Sequence, residues 1–228
     1  MLLDLIRSGF SREMLVSILL SLPCILFALT FHEVSHGYAA YRLGDSTARN
    51  FGRLTLNPVK HLDPVGFFCM LLFGFGWAKP VPVNTRNFRK PRSGMALTAA
   101  AGPAANLLLG LLSAMLCRGI FELSVLLLPR IPYSWFFNLS QALYLLFYVF
   151  SILNFSLGLF NLIPVPPFDG SRILFVFLPD KWYFALMKYE RYIMLAVLLL
   201  SSLNLLSFNI STVTDWLFNL GYRIFYIF

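Results

Sequence analysis

Long apolar runs separated by short basic segments dominate this chain and limit the folds that it can adopt. The clearest runs cover residues 14–43, 94–117, 138–165 and 190–208. Each is long enough to cross a bilayer, which takes about 20 residues of helix. Only 12% of the residues are charged and 58% are hydrophobic, whereas soluble domains carry about 25% charged residues. The sequence therefore predicts an all-α polytopic membrane protein and excludes a soluble enzyme and a disordered chain.

The remaining segments are expected to add short or broken elements. Residues 62–78 are apolar but contain a proline and several glycines, which favours a re-entrant or broken segment. Residues 213–228 could form a short span or an interfacial helix, so that about five or six spans are expected in total. Segments 53–56 and 80–84 are predicted to pair as a small membrane-associated β-hairpin.

The basic residues lie mainly on one side of the predicted spans. Nine of the 18 Lys and Arg residues fall within 42–92 and four more within 172–191. The positive-inside rule places these loops in the cytoplasm and the N-terminus outside it. The net charge of +8 then indicates contact with anionic lipid head groups rather than with nucleic acid. Three widely spaced cysteines without CxxC spacing argue against a disulfide framework or a thiolate zinc site.

An HExxH motif, His32-Glu33-Val34-Ser35-His36, lies within the first apolar run. On a helix, residues i and i+4 share a face, so His32 and His36 can bind one zinc ion. Glu33 beside them can take a proton from a zinc-bound water. Such a motif also occurs by chance, but an ionisable group inside a span costs about 2.5–3.5 kcal/mol. We therefore expect the two histidines and the glutamate to bind something.

A catalytic zinc site needs a third protein ligand and an open position for water. Asp169 is the best candidate, because it ends the proline-rich segment 161–170, where an apolar span breaks. The aspartate could also be the N-cap of a following helix. The remaining histidine, His61, lies in a basic turn and is expected to have a turn or interfacial role rather than to bind metal.

Four motifs occur in the same order as in a known family. HEVSHGYAAYRLGD (32–45), GRLTLNPVKHLDPVG (52–66), GPAAN (102–106) and NLIPVPPFDG (161–170) resemble the site-2 protease family of intramembrane zinc metalloproteases, peptidase family M50. The resemblance covers about residues 25–175. It departs at Ser171, where the family often has a second glycine, although serine still permits the turn.

The resemblance implies a fold and a set of roles. His32, His36 and Asp169 would coordinate one Zn²⁺ per chain, and Glu33 would be the general base. The chain would form a single domain over residues 1–228, with a three-helix catalytic core at about 15–175 and accessory C-terminal spans at about 182–228. No stretch is long enough for a PDZ or CBS domain, so the chain resembles a minimal member.

The family also implies the substrates and the location. Members cut transmembrane segments of other membrane proteins or remnant peptides within the bilayer. For this chain we expect a multi-pass protein of the bacterial inner membrane, with its active site open toward the cytoplasmic side. The oligomeric state is not indicated.

Two asparagines are candidates for contact with substrate. Asn161 could donate to the oxyanion without adding charge, or it could instead fix the proline-rich turn. Asn106 could contact substrate, or it could hold the core together beside Gly102, which lets helices approach closely. The predicted strands could accept an extended substrate as an added strand, or they could only cap the cavity.

Two other functions are weaker alternatives. A different class of membrane zinc protease would take a glutamate as third ligand, but neither Glu122 nor Glu190 lies in a suitable apolar helix. A metal transporter would show several ionisable residues along a path, whereas this chain shows one cluster. A binding scaffold would not require the base at Glu33.

Overall fold

The chain is mostly helical in the computed structural model, which describes residues 12–73, 76–131, 134–179, 181, 182, 188, 189, 192, 193, 195, 196, 199 and 210–224. In chain order the helices are α1 (Arg12–Arg42), α2 (Thr47–Asn50), α3 (Pro64–Phe73), α4 (Pro91–Leu127), α5 (Ser134–Asn161), α6 (Asp169–Leu174) and α7 (Ile210–Ile224). Two 3-10 turns lie at Pro58–Lys60 and Thr85–Asn87. The predicted helical class is therefore confirmed for the described residues.

In the part of the chain that the structure describes, three helices are long and apolar enough to cross a membrane: Ile18–Arg42 within α1, all of α4, and all of α5. They coincide with the first three predicted runs. Helix α4 continues past the predicted end at residue 117 to Leu127, and Arg118 and Glu122, four residues apart on this extension, form an ion pair. The span predicted at 190–208 lies mostly outside the described residues, so the total of five or six spans stays a prediction.

Helix α4 is the centre of the bundle, and α1, α5 and α7 all pack against it. Close packing depends on small residues, as is usual between membrane helices. A Cβ at Gly110 would lie 2.7 Å from the Phe155 ring, so only glycine lets α5 approach this closely. Phe155 is 2% exposed and packs in one cluster with Ala114, Cys117 and Phe218. This cluster joins α4, α5 and α7.

The segment between α1 and α4 does not contain the predicted hairpin. Neither 53–56 nor 80–84 forms a β-strand, and the described residues contain one isolated antiparallel bridge, between Leu62 and Ala78. A side chain replaces the expected ladder: the Arg53 guanidinium donates to carbonyl oxygens on the second segment. Prolines at positions 80 and 82 contribute to the difference, because they have no N–H to donate to a ladder.

Helix α7 is amphipathic, and its described length is short for a span. Thr214, Phe218 and Gly221 form its buried face, whereas Trp216 is 61% exposed. Its 15 residues cover about 22 Å, less than the roughly 30 Å of a hydrocarbon core. The chain on either side of α7 lies outside the described residues, so both alternatives for 213–228, a short span and an interfacial helix, stay predictions.

Candidate metal centre

Two imidazoles project side by side from the C-terminal half of α1. His32 and His36 lie one helical turn apart, and they are 4% and 9% exposed. Their Nε2 atoms are 3.0 Å apart, and the two rings stand almost perpendicular, at 89°. The HExxH spacing therefore brings two nitrogen ligands to one point on a buried helix face.

A carboxylate from a distant part of the chain reaches the same point. Asp169 opens α6, and its Oδ2 lies 3.0 Å from His32 Nε2 and 3.1 Å from His36 Nε2. The N-cap of α6 is Phe168, so the alternative of Asp169 as the cap is wrong. The broken segment 162–168 turns the chain back from α5 and thereby points Asp169 at α1.

The three ligand atoms fit a tetrahedral metal ion. One ligand atom from each residue lies within 4.8 Å of the other two, and among the described residues this is the group of His, Cys, Asp and Glu side chains that could hold a metal ion. A tetrahedron with metal–ligand distances of about 2.0–2.1 Å has edges of about 3.3 Å, close to the separations found here. Two neutral imidazoles and one carboxylate are a donor set that suits zinc and leaves a fourth position open.

Both imidazoles are held in the form that presents Nε2 to a metal. His32 Nδ1 lies 2.6 Å from Asn106 Oδ1, and His36 Nδ1 lies 2.7 Å from the Thr98 carbonyl oxygen. Because both partners are acceptors, each Nδ1 carries a proton, so Nε2 is the nitrogen that can offer a lone pair to a metal ion. Such supporting hydrogen bonds fix the tautomer and the orientation of metal-binding histidines.

Asp169 is ionised in this setting. Burial alone would raise its pKa, but hydrogen bonds from His32 and His36, whose Nε2 atoms can hold a proton until a metal ion takes its place, more than offset burial. The pKa of Asp169 therefore lies well below its usual value. A carboxylate must be deprotonated to bind a metal ion, so this side chain is already in the required form.

Glu33 faces a cavity of about 180 Å³ that the ligand trio also lines. That volume is ample for water. Glu33 Oε2 accepts a hydrogen bond from the backbone N–H of Val81 at 2.9 Å. None of the described residues hydrogen-bonds the other oxygen, Oε1, which leaves it able to bind a water molecule or a substrate proton.

The two asparagines take different positions. Asn106 on α4 is fully buried: beyond His32, its Nδ2 donates to the Ala28 carbonyl oxygen at 3.1 Å and to Asn154 Oδ1 at 2.8 Å. Asn161 lines the cavity at the end of α5, and its Nδ2 donates to the Leu157 carbonyl oxygen at 2.9 Å. Asn106 therefore supports a ligand from behind, whereas Asn161 borders the space where a substrate would lie.

The other residues that were considered as ligands lie elsewhere. His61 is buried in the turn before α3, where its Nε2 contacts the Thr55 carbonyl oxygen at 2.8 Å, in agreement with the predicted turn role. Glu122 pairs with Arg118 on α4. Glu190 lies outside the described residues.

Several residues of the site were not identified from the sequence. Thr98 lines the cavity, and its backbone carbonyl holds His36. Arg172 also lines the cavity, and its position three residues after Asp169, on the same helix face, could have indicated this. Val81 gave no such signal, because the backbone N–H that reaches Glu33 is common to all residues except proline.

Gly102 explains how α4 can pass so close to the two histidines. A Cβ at this position would lie 2.5 Å from His36 Nε2 and 2.8 Å from His32 Cε1. Any side chain at residue 102 would therefore occupy the space of the imidazoles. The glycine of the GPAAN motif provides the room for the ligand pair.

Comparison with known proteins agrees with this geometry. The model of Peptidase family M50 matches residues 21–203. The chain is 45% identical over 150 residues to YwhC of Bacillus subtilis, which is named a candidate zinc metalloprotease; the match covers 66% of this chain and 65% of YwhC. It is 29% identical over 163 residues to the zinc metalloprotease MJ0392 of Methanocaldococcus jannaschii, covering 69% of this chain and 35% of MJ0392.

A third relative is Rip2 of Mycolicibacterium smegmatis, also named a candidate zinc metalloprotease. It is 29% identical over 154 residues, which cover 65% of this chain and 53% of Rip2. The chain thus spans less than two thirds of the length of each of these three relatives. No solved structure matches the chain. With a family match over most of its length and all four motifs in place, the chain belongs to peptidase family M50.

Proposed function

We propose that this protein is a zinc-dependent intramembrane endopeptidase. The observation that carries the proposal is the convergence of His32, His36 and Asp169 on one point, with Glu33 in the same cavity. The metalloprotease names of the relatives support the same chemistry. Mere metal storage would not need a carboxylate that is free to exchange a proton beside the metal.

His32, His36 and Asp169 would hold the zinc ion. Zinc bound there would supply Lewis acidity, which polarises a peptide carbonyl and lowers the pKa of water to about 7. Asn106 and Thr98 keep the imidazoles oriented, so little reorganisation is needed when the metal enters. The open side of the trio faces the cavity, where substrate and water would meet.

Glu33 would act as general base and then as general acid. It would take a proton from the attacking water and pass it to the leaving amine of the cleaved peptide bond. Asn161 would donate a hydrogen bond from its second amide N–H to the carbonyl oxygen as negative charge develops. In this assignment Asn106 supports His32 and does not touch substrate, because it is fully buried.

The substrate would be a transmembrane segment or a membrane-bound peptide. An apolar cavity of about 440 Å³ lies between α1, α5 and α7, and Leu29 and Leu157 line it. These residues stand one helical turn before Glu33 and Asn161, so the cavity borders the site along the same two helices. A helix docked there would have to unwind locally before cleavage, because its carbonyl groups are otherwise hydrogen-bonded.

The remaining assignments follow from the family and the charge pattern. We propose a single catalytic domain in the bacterial inner membrane, with the site open toward the cytoplasm. The basic segments predicted to lie inside follow the two ligands on α1 and the third ligand, Asp169, on α6. Regulated intramembrane proteolysis and the clearance of remnant peptides are the two processes that this activity would serve.

The test is cleavage of a transmembrane reporter by the purified chain in lipid vesicles. Glu33→Gln should keep about one zinc per chain and lose cleavage by at least about 100-fold, the lower end of the range for general acid–base catalysis. Glu122→Gln is the matched control: it makes the same change far from the cavity and keeps an oxygen that can accept from Arg118. Cleavage by Glu33→Gln at the parental rate would refute the general-base role.

A second measurement addresses the ligand set. Asp169→Ala should lower the zinc content measured by elemental analysis in detergent, because it removes one of three ligands. Asp215→Asn, an exposed carboxylate on α7, is the control and should bind zinc normally. Full zinc occupancy in Asp169→Ala would require a different third ligand.

A further inference from the structure

The motif at 52–66 contains a buried cation that the proposed chemistry does not use. Arg53 is only 7% exposed, although it lies outside the spans. Its Nη1 donates to the Lys60 carbonyl oxygen at 2.5 Å, and its Nη2 donates to those of Lys79 and Pro80 at 2.6 and 3.1 Å. No described carboxylate pairs with it, so three neutral carbonyl groups hold the buried charge.

Burying a charge without a counter-ion costs free energy that a neutral side chain in the same place would not. Desolvation of an ion costs several kcal/mol even after relaxation of the protein. A neutral side chain could tie two loops together at lower cost, but it could not reach three carbonyl oxygens in fixed directions. The rigid guanidinium fork can do so, which indicates that the role of Arg53 is to fix the position of the backbone that it binds.

The backbone that Arg53 holds leads directly to the proposed general base. Lys79 and Pro80 precede Val81, whose N–H donates to Glu33 Oε2 at 2.9 Å. Neither Pro80 nor Pro82 has an N–H, so Val81 is the one residue of this triplet that can make such a bond. The position of this donor is therefore set by the two carbonyl groups that Arg53 binds.

The same segments also pack against the helix that carries Glu33. A Cβ at Gly37, one turn after Glu33 on α1, would lie 2.8 Å from Leu54 Cδ2 and 3.1 Å from Val81 Cγ1. Leu54 follows Arg53 directly, so both segments meet α1 at this glycine. The arginine clamp thus joins two segments that are already in contact beside the base.

We infer that Arg53 is a positioning residue for Glu33, acting through the backbone N–H of Val81. The clamp holds one oxygen of Glu33 in place, so that the other points at the water or substrate in the cavity. This inference rests on the proposed peptidase function and adds a device that aligns its base. It gives the motif at 52–66 a role in the chemical step.

The first test separates the chemical step from metal binding and from substrate binding. Arg53→Met keeps the length of the side chain but removes the fork, and Arg53→Lys keeps the charge but not the planar geometry. In reconstituted protein, both should lower kcat per bound zinc by about 10- to 100-fold, the size of effect expected from a misplacement of about 1 Å. Zinc content and KM should stay within about twofold of the parent.

Arg49→Met is the matched control, since this arginine lies four positions earlier and is exposed, and among the described residues its guanidinium hydrogen-bonds only Tyr41. It should cleave at the parental rate. An Arg53 variant that cleaved like Arg49→Met, with equal kcat per bound zinc, would overturn the inference. Failure of the unmodified protein to cleave any membrane reporter would instead overturn the proposed peptidase function.

A second variant keeps the test decisive if the Arg53 substitutions fail to fold. An ester linkage between Pro80 and Val81 removes the N–H that Glu33 accepts and also weakens the Pro80 carbonyl oxygen as an acceptor for Arg53, whose shorter bonds to Lys60 and Lys79 remain. It should lower kcat per bound zinc as Arg53→Met does, and the combination should cost no more than either change alone, because both act through one hydrogen bond. Unchanged kcat in the ester variant would overturn the inference. A higher kcat in the ester variant would also overturn it, because the hydrogen bond between Val81 and Glu33 would then inhibit the reaction.

Discussion

Asn106 should be the most informative position in the core, because its one side chain joins three helices and one metal ligand. It accepts from His32 Nδ1 on α1 and donates to Asn154 Oδ1 on α5 and to the Ala28 carbonyl oxygen. Leucine has nearly the same size but can make none of these bonds. Asn106→Leu therefore leaves the His32 N–H and Asn154 Oδ1 without partners in a fully buried place.

The expected effect can be worked out from these two groups. Each buried polar group that loses its partner costs about 1–3 kcal/mol, so the variant should lose about 2–6 kcal/mol of stability. That is a large part of the roughly 5–15 kcal/mol that stabilises a folded protein. Loss of the supporting bond to a metal-binding histidine should weaken zinc affinity by about 10- to 100-fold.

Two further variants separate the effects on stability and on metal. Asn154→Leu removes the bond between α4 and α5 but leaves His32 supported, so it should lower the melting temperature and keep zinc affinity. Asn106→Asp keeps the acceptor for His32 but places a second oxygen against the Ala28 carbonyl oxygen and Asn154 Oδ1, where the parent has an N–H donor. It should therefore lower the melting temperature and leave zinc affinity close to that of the parent. Melting in detergent and competition with a chelator measure the two quantities. If Asn106→Leu bound zinc as tightly as the parent, the assignment of Asn106 as the support of His32 would be refuted.

Three further predictions concern other parts of the structure. Gly102→Ala should lose most bound zinc, because its Cβ would lie 2.5 Å from His36 Nε2; normal zinc content would contradict this. Gly221→Val should lower the melting temperature but keep zinc, because a Cβ there would already lie 2.8 Å from that of Ala114, so the bulk would displace α7 and not the ligands; zinc loss would contradict this. Burial opposes ionisation of Asp45, but hydrogen bonds from neighbouring residues lower its pKa below the usual 3.8. Its ionised form therefore stabilises the fold above about pH 4, and this contribution is lost as the pH falls further. Asp45→Asn should lose this pH dependence in melting experiments between pH 3 and 6, and an unchanged pH dependence would contradict the assignment.

The helices and the ligand motif were predictable because each depends on residues that are close in sequence. Apolar runs of more than 17 residues identify spans without any knowledge of the fold. The spacing of His32 and His36 gives their shared helix face in the same way. Asp169 could be singled out because an aspartate after a proline-broken span is chemically unusual. Its distance of 137 positions from His32 carries no geometric information by itself.

The segments between the spans were predicted less well, because their structure depends on side chains rather than on backbone periodicity. Residues 53–56 alternate in a way that is typical of a strand, but the Arg53 fork takes the place of the backbone ladder. One long side chain that reaches carbonyl groups 7 and 26 positions away leaves no local pattern in the sequence. The same holds for the contact between Val81 and Glu33, in which the donor is a backbone group.

The polar residues inside the spans make the fold and the metal centre a single structural unit. Within the membrane, a polar group cannot hydrogen-bond to water. Asn106, Asn154 and His32 are therefore satisfied only when α1, α4 and α5 are packed together. The hydrogen bond between Asn106 and His32 also fixes the rotation of α1 about its axis relative to α4, and that rotation decides where His32 Nε2 points. Gly102, one turn earlier on α4, sets how near the two helices can come at the ligands. Depth, rotation and tautomer of the histidines are therefore determined by contacts that also hold the spans together, and a change at a contact that touches a histidine should alter both stability and metal binding.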